Sequence, residues 1–230
     1  MKQLGLSVLV LAGSAGLAHA ADGGFYLGAG YGRADYADGL AGQIRSAYAG
    51  RSDYAVESAA LTDRNDQAWK LTLGYRFLPW LGAELSYADA GKAASAYVLV
   101  PKPLLNSGPV SARGRYELDG TSLALVGEWP LGQAFAVSLR AGVVDSHLRY
   151  REVSRAVNGD TFPFRGPSDS NTGALAGLGL AWRLAPQWDL RLDWDRWFDV
   201  GTRFDVQEDT NGRFGHVDLY TVNLLYRFDR

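Results

Sequence analysis

From Trp188 to Asp195 the chain alternates without interruption. Trp188, Leu190, Leu192 and Trp194 take one set of positions, and Asp189, Arg191, Asp193 and Asp195 take the other. Neighbouring side chains on a β-strand point to opposite faces, so this run has one apolar, aromatic face and one charged face. The run before it follows the same rule, with Ala176, Leu178, Leu180 and Trp182 set against Gly177, Gly179, Ala181 and Arg183. Between the two lies Leu184-Ala185-Pro186-Gln187, where Pro186 lacks the N–H that a continuing ladder needs. The stretch from Thr172 to Gly201 is therefore predicted to be a β-hairpin. Any fold that contains it must give the apolar face an apolar medium and the charged face charged partners.

The same plan recurs along the chain. A first strand over 24–33 sets Phe25, Leu27, Ala29 and Tyr31 against Tyr26, Gly28, Gly30 and Gly32. A second, over 67–77, sets Trp69, Leu71, Leu73, Tyr75 and Phe77 against Lys70, Thr72, Gly74 and Arg76. A third, over 81–88, sets Leu81, Ala83, Leu85 and Tyr87 against Gly82, Glu84 and Ser86. A fourth ends with Thr121, Leu123, Leu125, Gly127 and Trp129 opposite Ser122, Ala124, Val126 and Glu128. A fifth starts with Phe135, Val137, Leu139, Ala141 and Val143 opposite Ser138, Arg140 and Gly142. The hairpin supplies the sixth and seventh, and the eighth sets Tyr220, Val222, Leu224, Tyr226 and Phe228 against Thr221, Asn223, Leu225 and Arg227. The stretches 34–66, 89–114, 152–171 and 202–215 are rich in small, polar, Gly and Pro residues and read as long loops, the first with strand extensions at its base. Three short turns separate the other strand pairs.

Met1-Lys2-Gln3, an uncharged apolar run to about Leu17 and Ala18-His19-Ala20 have the form of a secretory signal. Residues 1–20 are expected to be removed, leaving 21–230 as one domain. The chain has no Cys, which excludes a lipid-anchor thioether, a disulfide framework and thiolate metal sites. Its formal net charge of -2 gives no footprint for nucleic acid. The run of 28 Gly with 7 Trp, 12 Tyr and 9 Phe suits a sheet with one crowded, small-residue face and one greasy face.

An even number of strands of about ten residues, alternating apolar with polar, with short turns at one end and long loops at the other, describes an outer-membrane barrel. Aromatic girdles are expected at Phe77, Trp80, Trp129, Phe135, Trp182, Trp188, Tyr226 and Phe228 on the turn side. On the loop side they are expected at Tyr31, Trp69, Tyr87, Tyr150, Trp197 and Tyr220. A soluble lipocalin-like barrel would turn the greasy face inward. An eight-stranded bore is too narrow for that many Trp, Tyr, Phe and Leu side chains, whereas Gly, Ala, Ser and a few charges fit it.

Several stretches resemble the transmembrane domain of OmpA and related small outer-membrane barrels. They are WDLRLDWDRWFDVG from Trp188 to Gly201, Gly74-Tyr75-Arg76-Phe77 followed by Pro79, GAELSYADAGKA from Gly82 to Ala93, GTSLALVGEWPL from Gly120 to Leu131, and the closing Tyr226-Arg227-Phe228. The resemblance covers all eight strands and little of the loops. It implies an all-β, eight-stranded antiparallel transmembrane β-barrel with short periplasmic turns and four long extracellular loops, in the outer membrane of a Gram-negative bacterium. It also implies a lumenal charge cluster that includes Glu84 and Arg191. The family's Lys on the fourth strand falls here on Val126, and its Glu on the sixth falls on Ala181. By alternation Lys70, Arg76, Glu128, Arg140, Arg183, Asp189, Asp193, Asp195 and Arg227 also point inward, and Glu128, Arg140 and Asp193 join Glu84 and Arg191 as the expected plug. Burying charge without a partner is costly, so nearly complete pairing is expected. OmpA proper continues into a peptidoglycan-binding domain; this chain runs only two residues past Phe228, so no cell-wall tether is expected from it. The terminal aromatic strand resembles the signal read by the barrel-assembly machinery.

Chemistry is sparse. Asp145-Ser146-His147 is the best catalytic candidate, since some small barrels modify lipid A, but adjacent strand residues face opposite ways, so Ser146 and His147 do not pair directly. Asp199, Asp205, Glu208 and Asp209 form a charge-rich loop without metal-ligand spacing. Arg196, on the lipid side of the seventh strand, is positioned to meet a lipopolysaccharide phosphate or to snorkel to the interface. The expected protein is a non-enzymatic, cofactor-free monomer that contacts outer-membrane lipids and lipopolysaccharide. Its lumen is filled by side chains, its role is envelope integrity or adhesion, and its loops are open to host or surface ligands. A narrow ion or small-solute pore is the second reading and a lipid A-modifying enzyme the third.

Overall fold

The computed structural model describes residues 23–37, 39–103, 107–165, 169–200 and 215–228. The predicted signal segment, most of the last long loop and its Asp205, Glu208 and Asp209 lie outside these residues. Eight strands form the wall: β1 (Gly24–Tyr36), β3 (Asn65–Leu78), β4 (Leu81–Pro101), β5 (Val110–Leu131), β6 (Phe135–Ala156), β8 (Asp169–Ala185), β9 (Trp188–Phe198) and β10 (His216–Arg227). Each pairs antiparallel with its sequence neighbour in the wall, and β10 pairs with β1 from Tyr26↔Arg227 to Tyr36↔Val217, which closes the ring. A closed ring leaves no strand edge unpaired in a medium without water.

The outer face is apolar. Leu125 is 57% exposed and Leu123 56%, with Leu27, Leu71, Val143, Leu178, Leu192 and Val222 exposed on the other strands. The band ends at Trp80, Trp129, Phe135, Trp182, Trp188 and Phe228 on the turn side and at Tyr31, Trp69, Tyr87 and Tyr220 on the loop side, all on the outer surface. Beyond it the outward positions become polar, at Arg33, Gln67, Asp89, Asp119, Asp145 and Asp218. Along β6 the band runs from Phe135 to Val143, about the span that a tilted strand needs to cross hydrocarbon. Trp197 and Tyr150 do not belong to the girdle. Trp197 is 2% exposed, on the inward side of β9, and Tyr150 stacks on Tyr116 inside, with ring centroids 4.6 Å apart. Strict alternation places both inward.

The long connections hold more structure than their composition suggests. Residues 34–66 contain α1 (Leu40–Ala49) and β2 (Tyr54–Asp63), which pairs with β4. The stretch 89–114 is mostly strand, because β4 and β5 stay paired up to Leu99↔Val110. The stretch 152–171 holds the end of β6, β7 (Thr161–Arg165) paired to β6, and the start of β8. One side of the barrel therefore rises above the apolar band as a sheet in the order β2-β4-β5-β6-β7. The concave face of this sheet buries Tyr97, Leu99, Ala112 and Tyr116 together with Ile44 of α1. A bulge between Asp89 and Lys92 breaks the alternation of β4, and Gly91 sits there at φ +72, a backbone conformation that suits glycine.

Replacing Leu125 by Arg is expected to cost about 2–4 kcal/mol of refolding free energy in lipid vesicles, while Val157→Arg, above the band, changes it by less than about 0.5 kcal/mol. Urea titration of both variants in the same vesicles checks this.

Candidate functional site

The inward face is built from rows of residues that lie side by side across neighbouring strands. In one row Tyr26, Gly74 and Glu84 are successive cross-strand partners on β1, β3 and β4. The Tyr26 ring lies over Gly74, where an added Cβ would come within 2.0 Å of it, and its hydroxyl donates to Glu84 Oε1 at 2.7 Å. In a second row Arg140, Gly177 and Asp195 align on β6, β8 and β9, and Arg140 Nε reaches over Gly177 to Asp195 Oδ1 at 2.8 Å. Glycine in the middle strand lets the outer two side chains meet.

These rows converge on one ionic network. Arg191 donates from Nη1 to Glu84 Oε1 at 2.6 Å and from Nη2 to Oε2 at 3.2 Å, a two-point pairing of guanidinium and carboxylate. Its Nε reaches Asp193 Oδ1 at 2.9 Å. Arg140 Nη1 donates to the same Asp193 Oδ1 at 2.9 Å. Lys70 Nζ bridges Asp193 Oδ2 at 2.9 Å and Asp195 Oδ2 at 2.7 Å. Asn223 Nδ2 adds a bond to Asp193 Oδ2 at 3.0 Å. Lys70, Arg140 and Arg191 balance Glu84, Asp193 and Asp195, so the network is neutral, and every member is buried. The cavity beside it, against Lys70, Glu84, Ser86, Arg140, Asp195 and Trp197, has a volume of ≈ 10 Å³, room for about one water.

A second set closes the turn end of the lumen. Arg76 Nη2 meets Glu128 Oε2 at 2.6 Å, and Arg227 binds both Glu128 and Asp189. Arg183, at the mouth, stands 3.9 Å from Asp189. The structure thus brings Glu84, Arg191, Arg140 and Asp193 together and places Glu128 in the separate lower set. Lys70 and Asp195 belong to the central network although the expected plug did not name them; their signal was an inward charged position facing the others across the bore. Tyr26 and Asn223 were missed as polar partners. Tyr26 reads in the sequence as one more aromatic ring among glycines, and the reach of its hydroxyl to Glu84 depends on strand register.

The remaining candidates are elsewhere. Ser146 is buried and its Oγ donates to the Asn171 carbonyl at 3.0 Å, while His147 faces out with Nδ1 3.0 Å from Ser170 Oγ. Asp119 is the cross-strand neighbour of His147, but its carboxylate faces Arg149 at 3.1 Å and the Tyr87 hydroxyl at 3.4 Å. No complete Ser-His-acid relay is formed among the described residues. Arg196 is held by two bonds of 2.7 Å to Asp218, and its guanidinium lies 5.4 Å from the centre of the Trp194 ring. No group of metal-ligating residues forms among the described residues. Above the band, Glu152 accepts bonds from Tyr97 at 2.8 Å, from Tyr150 and from Ser154 at 2.8 Å. Burial, followed by the Glu152 charge, holds the Tyr97 phenol well above its ordinary range, so it stays a donor at any physiological pH.

The ring of eight strands, the outward apolar band and the paired lumenal charges are accompanied by a family match over residues 20–230, to the OmpA-like transmembrane domain. The chain belongs to that family. A solved structure supports the fold, and others are more loosely similar. The outer membrane protein OprG from Pseudomonas aeruginosa superposes with a TM-score of 0.50 at 17% identity, covering 90% of this chain and 97% of its own. Neisserial surface protein A gives 0.48 at 12% identity, with 89% and 97% covered. The outer membrane protease OmpT from Escherichia coli gives 0.42 at 11% identity, with 90% and 94% covered. Among curated proteins no sequence relative matches. Family and fold place this OmpA-like barrel in the Gram-negative outer membrane, surrounded by its lipids.

Removing one side of the central pair leaves a buried charge alone. Arg191→Met and Glu84→Leu are each expected to cost about 3–5 kcal/mol, and the double variant clearly less than their sum. A double-mutant cycle by urea unfolding in detergent measures the coupling; additive losses would show that the pair does not act as a unit.

Proposed function

We propose that this barrel is a non-enzymatic structural and surface-presenting protein of the envelope, monomeric, with a lumen closed by side chains. The observation that carries the reading is the buried, neutral network of Lys70, Arg140, Arg191, Glu84, Asp193 and Asp195, beside which lies a cavity of ≈ 10 Å³. Its members come from β3, β4, β6 and β9, so opening a path means breaking several buried ion pairs at once. Each such break is strongly unfavourable. A conducting pore would instead line its bore with groups that face water.

A lipid A-modifying activity has less support. Ser146 and His147 point to opposite sides of the wall, and among the described residues no acid is aimed at the other ring nitrogen of His147, whose Nδ1 meets Ser170. The contacts we assign to this protein are outer-membrane lipids and lipopolysaccharide along the apolar band, the barrel-assembly machinery during insertion, and ligands of the extracellular sheet. Arg196 serves as an anchor at the outer rim. A lipopolysaccharide phosphate there would compete with Asp218, which already holds the guanidinium at two points.

Purified protein in planar bilayers is expected to give no stable unitary current at neutral pH. Reproducible openings of fixed size from the refolded barrel would overturn the plugged-lumen reading in favour of a narrow pore.

A further inference from the structure

The sheet that rises above the apolar band has an outer face as well as the concave one packed against α1. The strand registers fix what stands on it. Arg115 of β5 is the cross-strand partner of Arg151 of β6, which is in turn the partner of Arg165 of β7. Paired residues of antiparallel strands share a face, so these arginines form a row across the sheet, spaced by about 5 Å per strand. The next row up holds Arg113, Val153 and Pro163, and the one above it Ser111, Arg155 and Thr161. Arg113, Arg115, Arg151, Arg155 and Arg165 are all exposed.

The face is predominantly cationic: among the described residues the acid in line with the arginine row is Asp63 of β2, which stands beyond Ala94 from Arg115. On the β4 side the neighbours of Arg115 and Arg113 are Ala94 and Ala96. Glu117 and Asp119 lie below the row and engage Arg149, with Arg149 Nε 3.5 Å from Glu117 and Nη2 3.1 Å from Asp119. Glu152, though on β6, points to the concave face and is held by Tyr97, Tyr150 and Ser154. Asp160, in the turn between β6 and β7, accepts a hydrogen bond from Asn158 at 2.7 Å and keeps its charge at the upper edge of the face. Among the described residues, none of the five arginines forms an ion pair. Like charges directly opposite on a sheet are destabilising, so this arrangement does nothing for the fold. It is an electrostatic surface looking for an anion.

Height selects the kind of anion. Val143 is the last apolar outward residue of β6 and Arg151 lies eight positions further along the paired strand. At about 3.3 Å per residue and a tilt of roughly 40°, the row stands on the order of 20 Å above the hydrocarbon boundary. Phosphates at headgroup level lie near that boundary, out of reach of an arginine side chain in the row. A flat array of guanidinium groups spread over three strands matches repeated sulfate or phosphate groups along an extended chain, which planar guanidinium pairs with at two points.

We propose that the outer face of β5, β6 and β7 is a binding surface for a soluble polyanionic glycan bearing sulfate or phosphate groups, centred on Arg115, Arg151 and Arg165. The proposal rests on the surface-presenting reading above and names the chemistry of the partner.

The test uses the full refolded barrel in nanodiscs of zwitterionic phospholipid, with dextran sulfate as probe and uncharged dextran as control. Dextran sulfate is expected to bind and dextran not to bind. Binding should weaken steeply with salt, as charge pairing with a polyanion requires. The Arg115→Ser, Arg151→Ser, Arg165→Ser triple variant should lose at least about tenfold in affinity. Arg33→Ser, whose guanidinium is already taken by Asp35, should match the unaltered protein. No binding at physiological salt, or equal losses for the two variants, overturns the proposal. In nanodiscs containing lipopolysaccharide with a phosphorylated core, dextran sulfate should still bind; its complete exclusion there, but not with core-deleted lipopolysaccharide, would assign the face to the protein's own membrane and overturn the soluble partner. A heat-modifiable gel shift on every sample separates this from failure of the barrel itself, since loss of binding with the shift retained counts against the arginine face alone.

Discussion

A β-strand in hydrocarbon has only other strands to bind its amides, and a sheet with a free edge cannot remain there. Pairing β10 with β1 meets that requirement, and the rest of the architecture follows from it. Once the ring is closed, alternation divides every strand between lipid and lumen. The Trp, Leu and Val side chains that would aggregate in water become the wall. The small and charged ones must share a bore that eight strands leave barely wide enough for side chains.

Space in that bore decides which interactions form. Glycines at 74 and 177 let Tyr26 and Arg140 cross a strand to reach Glu84 and Asp195, so partners two strands apart become neighbours. The network is neutral and almost fully buried. This reconciles buried charge with stability, because each ion keeps several partners of opposite sign in place of water. The same packing that stabilises the barrel also closes it. Function then falls to what lies outside the membrane, where a five-stranded sheet carries an aromatic, packed concave side and a cationic outer side.

Much of this was legible in the sequence because a period of two is hard to disguise. The wall strands, their inward and outward faces and the inward placement of Glu84 and Arg191 follow from alternation and the family resemblance. The reading failed where the period slipped. The bulge around Gly91 moves the inward positions of β4 from Ala88 and Ala90 to Ala93, Ser95 and Tyr97, so a continuous strand looked like a loop. β7 is short and carries Pro163, and α1 is made of small residues around Ile44, so neither has a strong local pattern. Trp197 has the residue type of a girdle, but its position in β9 faces inward, as alternation requires. Which charges meet within the lumen depends on strand register and on the glycines between them, and spacing along one strand does not encode that. The arginine row is invisible for the same reason, since Arg115, Arg151 and Arg165 align only once β5, β6 and β7 are paired.

The central claim is that the lumenal guanidinium groups are locked in a dry, neutral network. Nitrogen-15 NMR of the arginine Nε–H groups in detergent micelles tests it directly, with the exposed Arg151 as internal reference. The account predicts that the Nε–H signals of Arg140 and Arg191 persist at neutral pH and exchange with water far more slowly than that of Arg151. Exchange of all three at the same fast rate would mean that water fills the bore, and would contradict it.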